Sequence, residues 1–158
     1  MLEFEHLVQV NDLQNDRLPD ITRHQLWEGL VLRARNPDKF NHALECRSEQ
    51  IDEHEFLRTI DVGTESFRER VKLYPQEEIC THTVGSATPS NAESITRIEE
   101  PEAGYLFVRF IYRRDLDIDG DRVDVGEHLK SAYVQVDRDA VALIRLLAES
   151  DLFDQPIN

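Results

Sequence analysis

The chain has 158 residues, with 18 Lys and Arg against 32 Asp and Glu, a formal net charge of −14. That length suits one domain, residues 1–158, built around a single core. So acidic a surface repels phosphate backbones and anionic headgroups, which argues against nucleic acid and membrane surfaces as partners. No apolar run approaches the ~18 residues of a spanning helix, and MLEFEHLVQV has neither a basic start nor a cleavage signal, so a cytoplasmic protein is expected.

Residues 2–10 alternate as a strand does. A helix start follows. Thr22 with Gln25 makes a capping box, and Ile21 with Leu26 makes the hydrophobic staple around it. Leu26, Trp27, Leu30, Val31 and Ala34 then fall on one helical face. Asn36-Pro37 ends that helix, and Pro37 can open a short second one.

From residue 43 the period changes to two, and strands are expected over 43–51, 55–62, 65–74, 78–84, 92–99 and 105–114. The short connections between them imply an antiparallel meander. Gly63-Thr64 suits a type II′ hairpin, which puts Val62 opposite Glu65, Ile60 opposite Phe67, Arg58 opposite Glu69 and Phe56 opposite Val71. An Arg58–Glu69 pair therefore stands among apolar residues. It is either a matched pair on a buried face or a cross-strand ion pair on a partly exposed one. Cys46 and Cys80 lie within strands without CxxC spacing and read as free, half-buried thiols. His82 alternates with Cys80 and Val84 and is a candidate for the interior, as are Leu106, Val108, Phe110 and Tyr112.

The acidic stretch DLDIDGDRVDVGE, from Asp115 to Glu127, begins like a calcium loop with Asp115, Asp117, Asp119 and Gly120. Arg122 and Gly126 then break the pattern, and the preceding segment is a strand where a calcium loop follows a helix. Capping explains the acids better, because Asp124 and Glu127 have capping-box spacing at the start of a long helix. That helix, 127–148, would be ~33 Å long. Leu129, Ala132, Tyr133, Val136, Ala140, Leu143, Ile144 and Leu147 form its apolar stripe, with Asp137 and Asp139 at the borders.

Four blocks, FEHLVQVND, TRHQLWEGLVLRARNPDKF, LFVRFIYR and SAYVQVDRDAV, occur in the order in which they resemble the AtaL-like family of the START/SRPBCC superfamily. The resemblance implies an α+β helix-grip fold. A curved antiparallel sheet of about seven strands wraps around the long C-terminal helix, with two short helices after the first strand. It further implies a cavity between sheet and helix for a small apolar or aromatic ligand. The superfamily spans lipid carriers, hormone receptors, polyketide cyclases and ring-hydroxylase domains, so no single function follows.

Within such a cavity the candidate polar groups are Arg58, Glu69, Tyr112, Tyr133 and Asp137. Arg58 would hold an anionic or carbonyl group, and Asp137 would point inward to meet it. Trp27, Leu30, Phe56, Phe67, Phe110, Val136, Ala140 and Ile144 would supply apolar walls, unless Trp27, Phe40 and the other phenylalanines fill the space. The alternative is a cyclase, dehydratase or aromatase in which Asp137, Glu69 and Tyr112 move protons. No triad, metal-ligand spacing or glycine-rich phosphate loop occurs, so no cofactor or metal is expected. The oligomeric state, monomer or homodimer, is open.

Overall fold

The computed structural model describes residues 2–85, 91–115 and 123–150. The acidic loop weighed against calcium, with Asp117, Asp119 and Gly120, lies outside the described residues, as does the Asp124 side chain.

Strand β1 (Leu2–Gln9) leads to helix α1 (Arg23–Arg35) and one 3₁₀ turn (Pro37–Lys39). Six strands follow: β2 (Leu44–Asp52), β3 (Glu55–Val62), β4 (Glu65–Tyr74), β5 (Glu78–Thr83), β6 (Ala92–Glu102) and β7 (Tyr105–Arg114). Helix α2 (Val123–Glu149) follows β7. The strands form one antiparallel sheet in the order β1-β7-β6-β5-β4-β3-β2.

Local chemistry sets these boundaries. Gln25 N–H donates to Thr22 Oγ1 at 3.0 Å, and Thr22 N–H donates to Gln25 Oε1 at 2.8 Å, so the capping box forms as read. All four expected pairs of the β3–β4 hairpin form, and Gly63 takes φ 61° where a type II′ turn requires a positive value. Asn11, buried just past β1, bonds Ile21 N–H and the carbonyls of Ile21 and Gly104, tying the long β1–α1 connection to the β6–β7 turn.

Register aligns the inner-face residues in rows across the sheet. The first row is Val8, Val108 and Ile98. The second is His6, Phe110, Thr96, Ile79 and Leu73. The third is Phe4, Tyr112, Ser94, Thr81, Val71 and Phe56. The fourth holds Leu2, Arg114, Ala92, Thr83, Glu69 and Arg58. Polarity rises from the first row to the fourth. Both helices pack against this face and each other, and Gly29 makes their close approach possible. A Cβ there would stand 2.4 Å from Ile144 Cγ2.

Two expectations need correction. The stripe on α2 is rotated: the buried residues are Asp137, Ala140, Val141, Ile144, Arg145 and Ala148, whereas Val136 is 50% exposed and Ala132 is exposed. At ~100° per residue this moves the face by about a quarter turn and puts Asp137 near its centre, not its border. Two polar residues cause the shift. Arg145 reaches the carbonyls of Val10 and Pro19, and Asp137 is held from three sides, so both turn inward where counting apolar residues would turn them out. His82 does not face the interior. Thr81 and Ile79 are the buried residues of β5, so alternation turns His82 and Cys80 outward.

Candidate functional site

Asp137 is 0% exposed, and its carboxylate gathers three elements. Arg33 Nη2 of α1 donates to Oδ1 at 2.9 Å, and Tyr112 of β7 donates its hydroxyl to Oδ2 at 2.5 Å. His6 Nε2 of β1 stands 2.7 Å from the same oxygen. An ionised carboxylate only accepts, so His6 carries its proton on Nε2. A buried carboxylate needs such matching, because taking it out of water alone costs several kcal/mol.

Asp137 therefore does not meet Arg58, as the sequence reading had it; Arg33 is its arginine. Arg58 is engaged elsewhere. Its Nε donates to Glu69 Oε1 at 3.0 Å, and its Nη1 donates to the Ala34 carbonyl at 2.7 Å. It caps the carbonyl end of α1, where a cation also complements the helix dipole. The pair is half-buried, with Arg58 14% and Glu69 19% exposed.

Tyr133 of α2 stacks on Tyr112 with ring centroids 4.2 Å apart, and its hydroxyl accepts from Arg114 Nη1 at 3.0 Å. Phe4 and His6 extend the stack toward Phe110. Burial first, and the Asp137 carboxylate second, push the Tyr112 hydroxyl well above the ordinary 10.0, so it remains a neutral phenol in physiological conditions.

Around these groups the sheet and helices leave a cleft of about 210 Å³, lined by Leu30, Arg33, Arg58, Thr81, Ser94, Thr96, Tyr112, Tyr133, Val136 and Asp137 among others. It shares Thr81, Ser94, Tyr112 and Tyr133 with a recess of about 150 Å³ that reaches Glu69 and Arg114. It also shares Arg33, Pro37 and Val136 with an outer groove of about 400 Å³ walled by Phe40, Leu44, Ala140 and Leu143.

The five candidate polar residues, Arg58, Glu69, Tyr112, Tyr133 and Asp137, thus line one set of adjoining hollows. The apolar candidates divide. Leu30, Val136 and Ala140 line it, whereas Trp27, Phe56, Phe110 and Ile144 are packed into the core. Phe67 is half-buried one row beyond Glu69. The sequence reading missed three residues. His6 and Arg114 were accessible by extending the alternation of Phe4 with Val8 and of Phe110 with Tyr112. Arg33 had no such signal, since it borders the apolar face of α1. Burial raises both thiols, Cys46 and Cys80, which lowers the share of nucleophilic thiolate at each.

A curved antiparallel sheet folded onto a long C-terminal helix defines a helix-grip protein. Solved structures agree in fold. The di-domain ARO/CYC StfQ from the steffimycin biosynthetic pathway superposes with TM-score 0.73 at 11% identity, over 96% of this chain and 51% of that one. The Zhui aromatase/cyclase from Streptomyces sp. R1128 gives 0.62 at 15% identity, over 95% and 94%. Ara h 8.0201 gives 0.58 at 9%, over 90% and 96%. The chain thus spans about half the length of di-domain StfQ and nearly all of Zhui. It belongs to the AtaL family, described as acetylaranotin biosynthesis cluster protein L, whose model matches residues 8–151. No curated protein matches the chain.

Proposed function

We propose that the protein binds a small aromatic or amphipathic molecule in the cleft between sheet and α2. The observation that carries this is the set of adjoining hollows, lined by a stacked tyrosine pair and bordered by a few fixed polar groups. Ligand sites commonly combine mostly apolar walls with such a handful of placed polar groups. The polar groups are preorganised: Asp137 fixes Tyr112 and Arg33, and Glu69 fixes Arg58. A guest therefore meets donors and acceptors already oriented, which limits the ordering cost of binding. Tyr112 gives its proton to Asp137 and offers a lone pair. Tyr133 accepts from Arg114 and retains a proton to give.

The test is titration with a neutral aromatic probe, N-phenyl-1-naphthylamine, read by fluorescence and by native mass spectrometry. One probe per chain, saturable and lost on unfolding, is the expected result. The absence of saturable binding would overturn the proposal.

A second reading has a specific basis, the likeness in fold to the aromatase/cyclases together with membership of a family named for a biosynthesis cluster. In it the same cleft would fold and dehydrate a polyketone chain, with Tyr133 and Arg114 steadying negative charge on a carbonyl oxygen. Its mark is product formation from a poly-β-ketone thioester that Tyr133→Phe abolishes while probe affinity is retained. Both oxygens of Asp137 are committed to donors, which favours the binding reading over proton transfer by that residue.

A further inference from the structure

Two of the arginines that border the cleft and its recess have a carboxylate partner. Arg33 is matched by Asp137 and Arg58 by Glu69, each in direct contact. Among the described residues, Arg114 has no such match. Among the described residues its only polar partner is the Tyr133 hydroxyl, on Nη1, and its Nε is buried with no hydrogen-bond partner. The adjacent residues Arg113 and Glu93 also border the recess, but they stand opposite each other in register, are both exposed and carry opposite charges. Among the described residues, the recess therefore holds one guanidinium with no carboxylate in direct contact, inside a chain whose formal net charge is −14.

A buried guanidinium N–H without a partner is costly to maintain, because its hydration is lost and nothing replaces it. Among the described residues the other arginine with this property, Arg70, holds Glu55 through Nη1 and has a partly exposed side chain. Arg114 stands at the polar end of the inner face, in the fourth row, and the recess that it lines opens past Tyr112 and Tyr133 into the main cleft. With a small shift of the Arg114 side chain, an acid group there would reach Nε and the remaining Nη, and the Tyr133 hydroxyl proton beside them. A planar guanidinium suits a two-oxygen acid, which it can hold through two parallel bonds.

We propose that the ligand is a monoanion, an aromatic body bearing one carboxylate or comparable acid group, and that Arg114 with Tyr133 seats the acid. The ring system lies toward Tyr112, Leu30 and Val136. A dianion is disfavoured, because one unmatched guanidinium answers one acid and the acidic exterior opposes a second. The inference rests on the cleft being a ligand site, as proposed above.

Two probes that differ by one acid group separate the ideas: 1-anilinonaphthalene-8-sulfonate and its neutral counterpart N-phenyl-1-naphthylamine. The full chain is expected to bind the sulfonate more tightly. Arg114→Gln is expected to lose about tenfold or more of the sulfonate affinity, the loss typical of one charged hydrogen bond, with the amine unchanged within about twofold. Arg138→Gln, the same charge change at an exposed position of α2 that borders neither cleft nor recess, is expected to leave both probes within about twofold. Should Arg114→Gln melt early, Arg114→Lys carries the test; it keeps the charge but lacks the fork, and a several-fold loss confined to the sulfonate is expected.

An Arg114 variant that binds the sulfonate as well as the parent does, or that weakens both probes equally, would overturn the acid seat while leaving the cleft intact. An equal loss in Arg138→Gln would overturn it too, since net charge alone would then explain the effect. If neither probe bound the parent chain, the cleft reading would fall and the acid seat with it.

Discussion

The inner face of the sheet has two ends, and they are built differently. At the first-row end, Val8, Val108 and Ile98 meet Leu26, Val141 and Ile144 in a core closed to solvent. At the fourth-row end, Arg58, Glu69 and Arg114 look across open space toward Tyr133. The same strands cross both ends, so the difference lies in sequence and not in backbone. In β6 the inner residues run Ile98, Thr96, Ser94, and in β7 they run Val108, Phe110, Tyr112, Arg114. The closed end supplies the burial that holds a small domain together. The open end keeps polar groups that a core would not retain: Arg58 and Glu69 hold each other, and Arg114 holds the Tyr133 hydroxyl without, among the described residues, a carboxylate partner.

Substitutions can break that comparison, and the largest effect is expected at the closed side. Phe56, fully buried where the third row meets α1, is expected to cost about 3–5 kcal/mol as Phe56→Ala, measured by urea denaturation. Next comes the polar anchor. Asp137→Ala leaves Arg33, Tyr112 and His6 without their shared acceptor and is expected to cost about 2–4 kcal/mol. Arg33 reaches water, with 22% of its side chain exposed, which keeps the loss below that of a sealed pair. Asp137→Asn should recover part of it. At the helix crossing, Gly29→Ala forces Ile144 aside and is expected to cost about 1–3 kcal/mol by the same measurement.

The smallest effect is a pH dependence. The Tyr112 hydroxyl is raised above 10.0 in the folded chain, first by burial and then by Asp137. Above that pH the unfolded chain has lost this proton while the folded chain retains it. Stability from this group is thus complete below about pH 10 and declines as the pH rises beyond it, by at most ~1.4 kcal/mol per pH unit. Denaturation curves at pH 8 and pH 10.5 should show a steeper alkaline loss for the parent chain than for Tyr112→Phe.

Much of the fold was legible in the sequence because it rests on local signals. The capping box at Thr22, the turn at Gly63 and the period-two alternation each fix a boundary or a register without reference to distant residues. The Arg58–Glu69 pair followed from counting outward from one turn. What counting could not give was the rotation of α2, because its buried face is set by two polar residues whose partners, Tyr112 apart, lie more than a hundred positions away. Arg33 escaped for the same reason: only the packing of α1 on α2 brings it to Asp137. His82 went astray because strand alternation gives two faces without saying which is inside.

The claim that the open end is ligand space is tested most directly by filling it. Ser94 lines both the main cleft and the recess, between Thr81 and Tyr112 in the third row. Ser94→Leu would be compared with the parent chain by thermal melting and by titration with N-phenyl-1-naphthylamine. Open ligand space predicts a melting temperature that holds or rises, as apolar atoms fill a gap, together with at least about a tenfold loss of probe affinity. A steep fall in melting temperature with probe affinity unchanged would contradict it, because it would mean that this end of the sheet is already packed.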